Sequence, residues 1–155
     1  MKNLIMIFAV LVLSLHCKKA VNDLMKDSKV LESECESGKF RSCTQVGIRM
    51  AFGTYGYRKD YSKAKTFLEK ACSGEDGLGC KELAILHEYG RGTEKSLSKA
   101  AEYYKISCEK EEAFGCFYLG KFYKKGMGVS KDPKEAEKYL RKACDLKLDM
   151  ACKEL

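Results

Sequence analysis

Apolar residues recur along this chain at i, i+3, i+4 and i+7, the period of a helix that buries one face. The clearest run is Ala64, Phe67, Leu68 and Ala71. It returns as Ala100, Tyr103, Tyr104 and Ser107, and again as Ala136, Tyr139, Leu140 and Ala143. Asp60, Ser96 and Asp132 stand just ahead of the three runs, where a side-chain oxygen caps a helix N-terminus. Pro133 follows one of these caps, and proline suits the first helical position. The pattern predicts a helix A over 60–73, 96–109 and 132–145. A second pattern, Leu83, Ala84, Leu86 and His87, is matched by Leu119, Gly120, Phe122 and Tyr123, and predicts a helix B over 77–90 and 113–126. Gly90 and Gly126 end it, because glycine readily takes the left-handed conformation that closes helices. Gly92 and Gly128 then lead a turn into the next cap.

A first unit repeats the design, with Asp23 as cap, Leu24, Val30 and Leu31 in the apolar columns, and helix B over 40–52. Asp27 and Glu34 stand where later units have alanine, as suits the outer side of an end repeat facing water. Its closing turn, Gly53-Thr54-Tyr55-Gly56, carries one extra residue. The last helix B has only a single turn before the sequence stops, so fraying or a partner chain is expected there. The expected architecture is all-α, a solenoid of antiparallel helix pairs with units at about 23–59, 60–95, 96–131 and a partial 132–155.

The nine cysteines change the picture most. Eight form pairs with seven residues between partners: Cys35/Cys43, Cys72/Cys80, Cys108/Cys116 and Cys144/Cys152. Their pitch of 37, 36 and 36 residues is that of the helices. Within a straight helix such partners would lie ~12 Å apart, whereas a disulfide needs Cα atoms about 4.4–6.8 Å apart. The chain must therefore reverse between them, and glycines at Gly38, Gly74, Gly77, Gly79 and Gly115 mark that reversal. Eight cysteines allow 105 pairings in principle. Repetition favours pairing within units, since equivalent positions in neighbouring helices sit ~8–10 Å apart. Zinc is the rival reading, disfavoured because its sites prefer about two to four residues between paired cysteines.

Cys17 stands outside the repeat. Before it, Met1-Lys2-Asn3 and the apolar run from Leu4 to Leu15 suit a secretory signal and fall short of the ~20 residues that span a bilayer. Ser14-Leu15-His16-Cys17 resembles a bacterial lipoprotein signal. That resemblance implies a signal peptide over 1–16, a lipidated Cys17 and a tether over 17–22. The usual leucine three residues before the cysteine and the small residue just before it are replaced by Ser14 and His16. Disulfide-dense chains belong to oxidising compartments, so export is expected with or without the lipid, to the periplasm or the outer membrane.

Units such as Lys99-Ala-Ala-Glu-Tyr-Tyr-Lys-Ile-Ser-Cys108, with Gly115-Cys116-Phe-Tyr-Leu-Gly120, Tyr123 and Gly126-Met-Gly128-Val129, resemble Sel1-like repeats, relatives of tetratricopeptide repeats. More narrowly, they resemble the cysteine-rich Sel1-like proteins of Helicobacter. The resemblance implies a right-handed superhelix with one disulfide per unit, and a protein- or peptide-binding scaffold. Some relatives are similar to penicillin-binding proteins with weak β-lactamase activity, which implies a hydrolase as the alternative.

That alternative needs a Ser-x-x-Lys pair with companion Ser-Asp-Asn and Lys-Thr-Gly elements. Ser62-Lys-Ala-Lys65 and Ser96-Leu-Ser-Lys99 match the first pattern, and neither companion occurs. His87 shares a column with Tyr123 and reads as a packed helix-face residue. No catalytic constellation, metal set or cofactor loop emerges. The net charge of +7 is spread through every unit, which disfavours nucleic acid and suits either an ordinary lysine-rich solvated surface or one that meets acidic proteins, lipid headgroups or polyanionic cell-wall material. Exposed helix A positions Lys63, Lys99, Lys70, Lys142, Lys105 and Arg141 are the candidate binding surface.

Overall fold

The computed structural model describes residues 27–155. The expected signal segment, the tether with Cys17 and the Asp23 cap lie outside the described residues. Eight helices follow: α1 over 27–36, then α2 Phe40–Phe52, α3 Tyr61–Ser73, α4 Gly77–Tyr89, α5 Leu97–Glu109, α6 Ala113–Lys125, α7 Pro133–Asp145 and the single turn α8 Asp149–Cys152. There is no strand among the described residues. Odd-numbered helices are the expected helix A, and even-numbered ones helix B.

The caps act as the sequence predicts. Asp60 accepts from the Lys63 amide at 3.0 Å and Ser96 from the Lys99 amide at 3.3 Å. Asp132 takes two amides, Lys134 at 2.9 Å and Glu135 at 3.2 Å. Each satisfies donors that a helix start leaves without partners.

The reversal between paired cysteines differs from expectation. Gly74 lies in the turn as the C-cap of α3, whereas Gly77, Gly79 and Gly115 lie inside α4 and α6. The left-handed residue is Gly38 in the first unit, but Glu75 (φ 67°), Glu111 (φ 60°) and Lys147 (φ 69°) in the others. The same two bonds close all four helices. The left-handed residue's amide donates to the first cysteine's carbonyl, and the next amide reaches the residue before that cysteine: Glu75 to Cys72 at 3.0 Å and Asp76 to Ala71 at 3.1 Å, for example. This is the Schellman end, built here on side chains that strain in the left-handed region.

The glycines serve close approach instead. A Cβ added at Gly79 would sit 2.6 Å from the Ala71 Cβ, and one at Gly115 would sit 2.2 Å from the Ser107 Oγ. Helices A and B cross there with almost no side chain between them. The crossing lies beside the clasp, so the cysteine Cα atoms approach closely: 4.7 Å for Cys35 and Cys43, 4.5 Å for Cys72 and Cys80, 4.4 Å for Cys108 and Cys116, and 4.8 Å for Cys144 and Cys152. All four pairs are disulfides within their own units. The first unit fills the crossing differently, with Glu34 partly exposed at its outer side and also bonded across it. Glu34 accepts from Ser42 Oγ at 2.7 Å and Lys39 Nζ at 2.8 Å. Bonds from Lys39 and Ser42 hold its carboxyl below the usual carboxylate range.

α4 and α6 each pack more broadly on the helix A of the next unit than on their own partners. Ala84, Ala100, Tyr104, Leu119 and Phe122 form one such core. Tyr104 is fully buried and donates to Glu88 at 2.6 Å. Burial, then that bond, pushes its phenol far above the ordinary value. A polar lock adds to the α2–α4 contact: Thr44 Oγ1 and Arg41 both donate to the Asp76 carboxylate. At the C-terminal end, the Cys144–Cys152 disulfide, buried Ala151 and a 2.9 Å ion pair between Lys124 and Glu154 hold the short α8.

Candidate functional site

The eight paired cysteines belong to the framework and not to an open site. Cys43, Cys80 and Cys116, the second partners in the first three units, are fully buried. Their sulfurs are taken up by the bonds to Cys35, Cys72 and Cys108, which leaves no thiolate for a metal or for redox exchange. The last clasp differs: Cys144 is half-buried and Cys152 is exposed.

The six basic positions singled out on helix A fall into two groups. Lys63, Lys99, Lys70, Lys105 and Arg141 are exposed. Lys63 and Lys99 occupy equivalent places one unit apart, as do Lys105 and Arg141. Arg141 pairs with Glu137 at 2.7 Å and Lys63 lies 3.9 Å from Asp60. Lys142 is the exception. It is half-buried, and its ammonium donates to the Cys108 carbonyl at 2.9 Å. It ties α7 to the end of α5, so its role is internal.

The serine–lysine matches are occupied otherwise. Ser96 Oγ is the α5 cap and also lies 3.2 Å from Ser98 Oγ. Lys65 pairs with Glu69 at 3.2 Å, one turn along α3 and away from Ser62. The structure gives the hydrolase alternative no support. His87 is buried and stacks on Tyr103 at 5.4 Å, as Tyr123 stacks on Tyr139 at 5.6 Å one unit later. Burial, followed by the nearby Lys99 and Lys65 charges, lowers its pKa and keeps it neutral.

The periodicity of apolar positions missed a feature at the edge where each helix B turns into the next helix A. Phe52 and Tyr89, the last residues of α2 and α4, are exposed there together with Tyr55. Arg91 stands over both Tyr89 (5.1 Å) and Tyr61 (5.8 Å), Lys59 over Tyr61 (5.0 Å), and Arg49 over Tyr55 (4.6 Å). The signal for this edge was present: Lys59, Lys95 and Lys131 immediately precede the three caps. Each packs its Cβ against the glycine that ends the preceding helix B. Near α1 the edge opens into a cleft of about 510 Å³, lined by Ser28, Glu32, Met50, Arg58, Lys59 and Lys63 among others. Tyr57 forms its floor and donates to the Ser28 carbonyl at 2.9 Å. Burial, and then the Glu32 charge, push that phenol up to about 12.

Among known proteins, the Sel1 repeat family model matches residues 41–76, 78–111 and 113–148. Each match runs from a helix B through the following helix A, the broader of the two packing interfaces. The structure is similar to a Sel1 repeat protein from Oxalobacter formigenes (TM-score 0.76, 25% identity, 84% of this chain and 97% of that one). It is also similar to Helicobacter pylori cysteine rich protein B (TM-score 0.71, 32% identity, 88% and 97%). A protective antigen of uropathogenic Escherichia coli strains with an SLR fold shares the fold at 22% identity and TM-score 0.75, over 80% of this chain and 26% of that one. No curated protein matches the chain by sequence.

Proposed function

We propose that this chain, which belongs to the Sel1 repeat family, is a tethered scaffold that presents its exposed helix A positions to a protein or peptide outside the cytoplasm. The observation that carries the reading is register. The exposed cations Lys63/Lys99 and Lys105/Arg141 recur at the repeat pitch on a framework whose apolar faces are consumed in packing one unit on the next. A ladder of equivalent positions on a fixed frame suits an extended ligand. The disulfides support an extracellular or periplasmic setting, since such bonds persist where the medium is oxidising. The 32% identity with Helicobacter pylori cysteine rich protein B fits the same setting. No helix among the described residues is long and apolar enough to cross a membrane; what supports a lipid attachment is the lipoprotein-like Ser14-Leu15-His16-Cys17 stretch.

Two experiments test this reading. Photo-crosslinking residues at positions 63, 99 and 105 in intact cells are expected to trap one recurrent partner that position 147, at the opposite edge, does not. Trapping nothing, or the same proteins from every position, removes the scaffold reading. Intact-mass analysis is expected to find a mature chain beginning at an acylated Cys17, and a Cys17→Ser chain is expected to leave the membrane fraction. An unmodified Cys17 in the membrane fraction would remove the tether.

A further inference from the structure

We infer that the edge formed by the helix B to helix A turns is a membrane-docking surface that lies against anionic phospholipid headgroups. The inference rests on the tether proposed above, but its evidence is separate. Three observations converge on the edge.

The first is composition. Arg49, Arg58, Lys59, Lys63, Arg91, Lys95 and Lys131 gather there, against Glu32, Asp60, Glu94 and Asp132. Two of those acids are already turned inward as helix caps. The opposite edge, where helix A turns into helix B, has the reverse character. It carries Glu75, Asp76, Glu109, Glu111, Glu112 and Asp149. Three of its cations are engaged with acids: Lys110 with Glu75 at 2.7 Å, Arg41 with Asp76 at 3.2 Å and Lys39 with Glu34 at 2.8 Å. The two long edges of the solenoid thus differ in sign.

The second is the aromatic content. Phe52, Tyr55 and Tyr89 are 65%, 59% and 59% exposed, and all three sit on the basic edge. Single exposed apolar residues are ordinary, but aromatic side chains gathered on one edge among polar residues mark an interaction site. Arginine and lysine stacked over tyrosine make side chains that are apolar in body and charged at the tip. That chemistry partitions to the headgroup level of a bilayer. An acidic peptide would be met by the cations but would leave the exposed rings without a counterpart, so lipid fits both halves of the edge.

The third is where the chain enters. Ser28 lies against the 56–60 turn, accepting from Tyr57 and lining the same cleft as Arg58 and Lys59. The described chain therefore begins on the basic edge. Residues 17–26 reach at most ~36 Å even when fully extended, and they add Lys18, Lys19 and Lys26. A lipid at Cys17 would tether the chain from the side of this edge, with Lys18, Lys19 and Lys26 between the acyl group and the first helix. A single acyl attachment is commonly reinforced by a basic patch, with each surface lysine or arginine contributing about fivefold in binding.

The test uses the chain from residue 17 with Cys17→Ser, without lipid. All the disulfides, cores and caps described lie within 27–155, so this chain retains them. Because no acyl group is present, failure of the tether and failure of the edge are read separately. Co-sedimentation with vesicles of phosphatidylcholine containing phosphatidylglycerol is expected to show binding that pure phosphatidylcholine lacks and that salt abolishes as screening shortens. The set Arg58→Gln, Lys59→Gln, Arg91→Gln and Lys95→Gln is expected to weaken it at least about a hundredfold. The charge-matched set Lys70→Gln, Lys105→Gln, Lys147→Gln and Lys153→Gln is expected to weaken it far less. The native chain has no tryptophan, so a single introduced one reports its own surroundings. Tyr89→Trp emission is expected to shift to the blue on vesicles, and Phe114→Trp, on the acidic edge, is expected not to. Equal losses in the two glutamine sets, no preference for phosphatidylglycerol, or a matching shift at position 114 would overturn the proposal. So would polyglutamate that occupies the edge more tightly than the vesicles, which would assign it to an acidic protein.

Discussion

Replacing Gly115 by alanine tests whether the helix crossing, and not the turn, explains the glycines. The new methyl would meet Ser107 Oγ at 2.2 Å, Ser107 Cβ at 2.6 Å and the Cys108 amide nitrogen at 3.0 Å. Relief requires α5 and α6 to separate by about an ångström. They are least free to do so here, because the Cys108–Cys116 disulfide holds the adjacent Cα atoms 4.4 Å apart. Overpacking of a closed core costs about 1–3 kcal/mol, and a doubly constrained crossing belongs at the upper end. Against this, alanine is the better helix former by up to about 1 kcal/mol. The expected net loss is about 2 kcal/mol, read from urea unfolding of the non-reduced protein by far-ultraviolet circular dichroism. The partner substitution supplies the control. Ser107 Oγ is buried without a hydrogen bond, so Ser107→Ala alone is expected to leave stability unchanged or raise it by up to about 1 kcal/mol. Ser107→Gly with Gly115→Ala clears the hydroxymethyl group from α5 as the methyl arrives on α6, and is expected to recover most of the loss. If Gly115→Ala were as stable as the parent, or if the two changes were simply additive, the close-approach explanation would be wrong.

Other expectations follow from the same framework. Cys108→Ala with Cys116→Ala opens a nine-residue loop and is expected to lower the unfolding free energy by about 2–3 kcal/mol; peptide mapping of the non-reduced protein should recover the four intra-unit links. Glu111→Gly relieves a side chain held at positive φ and is expected to stabilise by about 0.5–1 kcal/mol, seen as a raised urea midpoint. His87 gives a signed pH dependence. Its folded-state pKa lies below the ordinary 6.5, so the unfolded chain takes up the proton more readily. Its contribution is then complete above about 6.5 and is lost as pH falls through the folded value. His87→Tyr, copying the Tyr123 column, is expected to flatten stability against pH below that point, and an unchanged slope would count against this account.

The helices and their pairing were legible because two signals of different kind agreed. The apolar period gave the faces, and the cysteine pitch gave the unit length. Caps were legible at Asp60, Ser96 and Asp132 because a cap needs one residue type at one place. Gly38, Gly90 and Gly126 were read correctly as left-handed, but Gly77, Gly79 and Gly115 were misread, since glycine answers two different demands, a left-handed backbone and the absence of a side chain, and spacing does not separate them. The turns fell to Glu75, Glu111 and Lys147, whose composition hides a left-handed backbone. Lys142 looked like its exposed neighbours because a carbonyl acceptor in another unit leaves no mark on the local pattern. The basic edge escaped notice because its residues lie in turns, outside any helical period, and come together only when the units stack.

The offset between clasps and cores has a mechanical consequence. Disulfides join α3 to α4 and α5 to α6, while the broader apolar interfaces join α4 to α5 and α6 to α7. A pull along the chain would therefore open the uncrosslinked seams and leave each clasped helix pair joined. Every closed loop also withholds eight residue spacings, on the order of 25 Å of contour each, from any extension. Under load, the array should lengthen in discrete steps with shortened contours and re-close seam by seam, and a reductant should convert those steps into full-length ones.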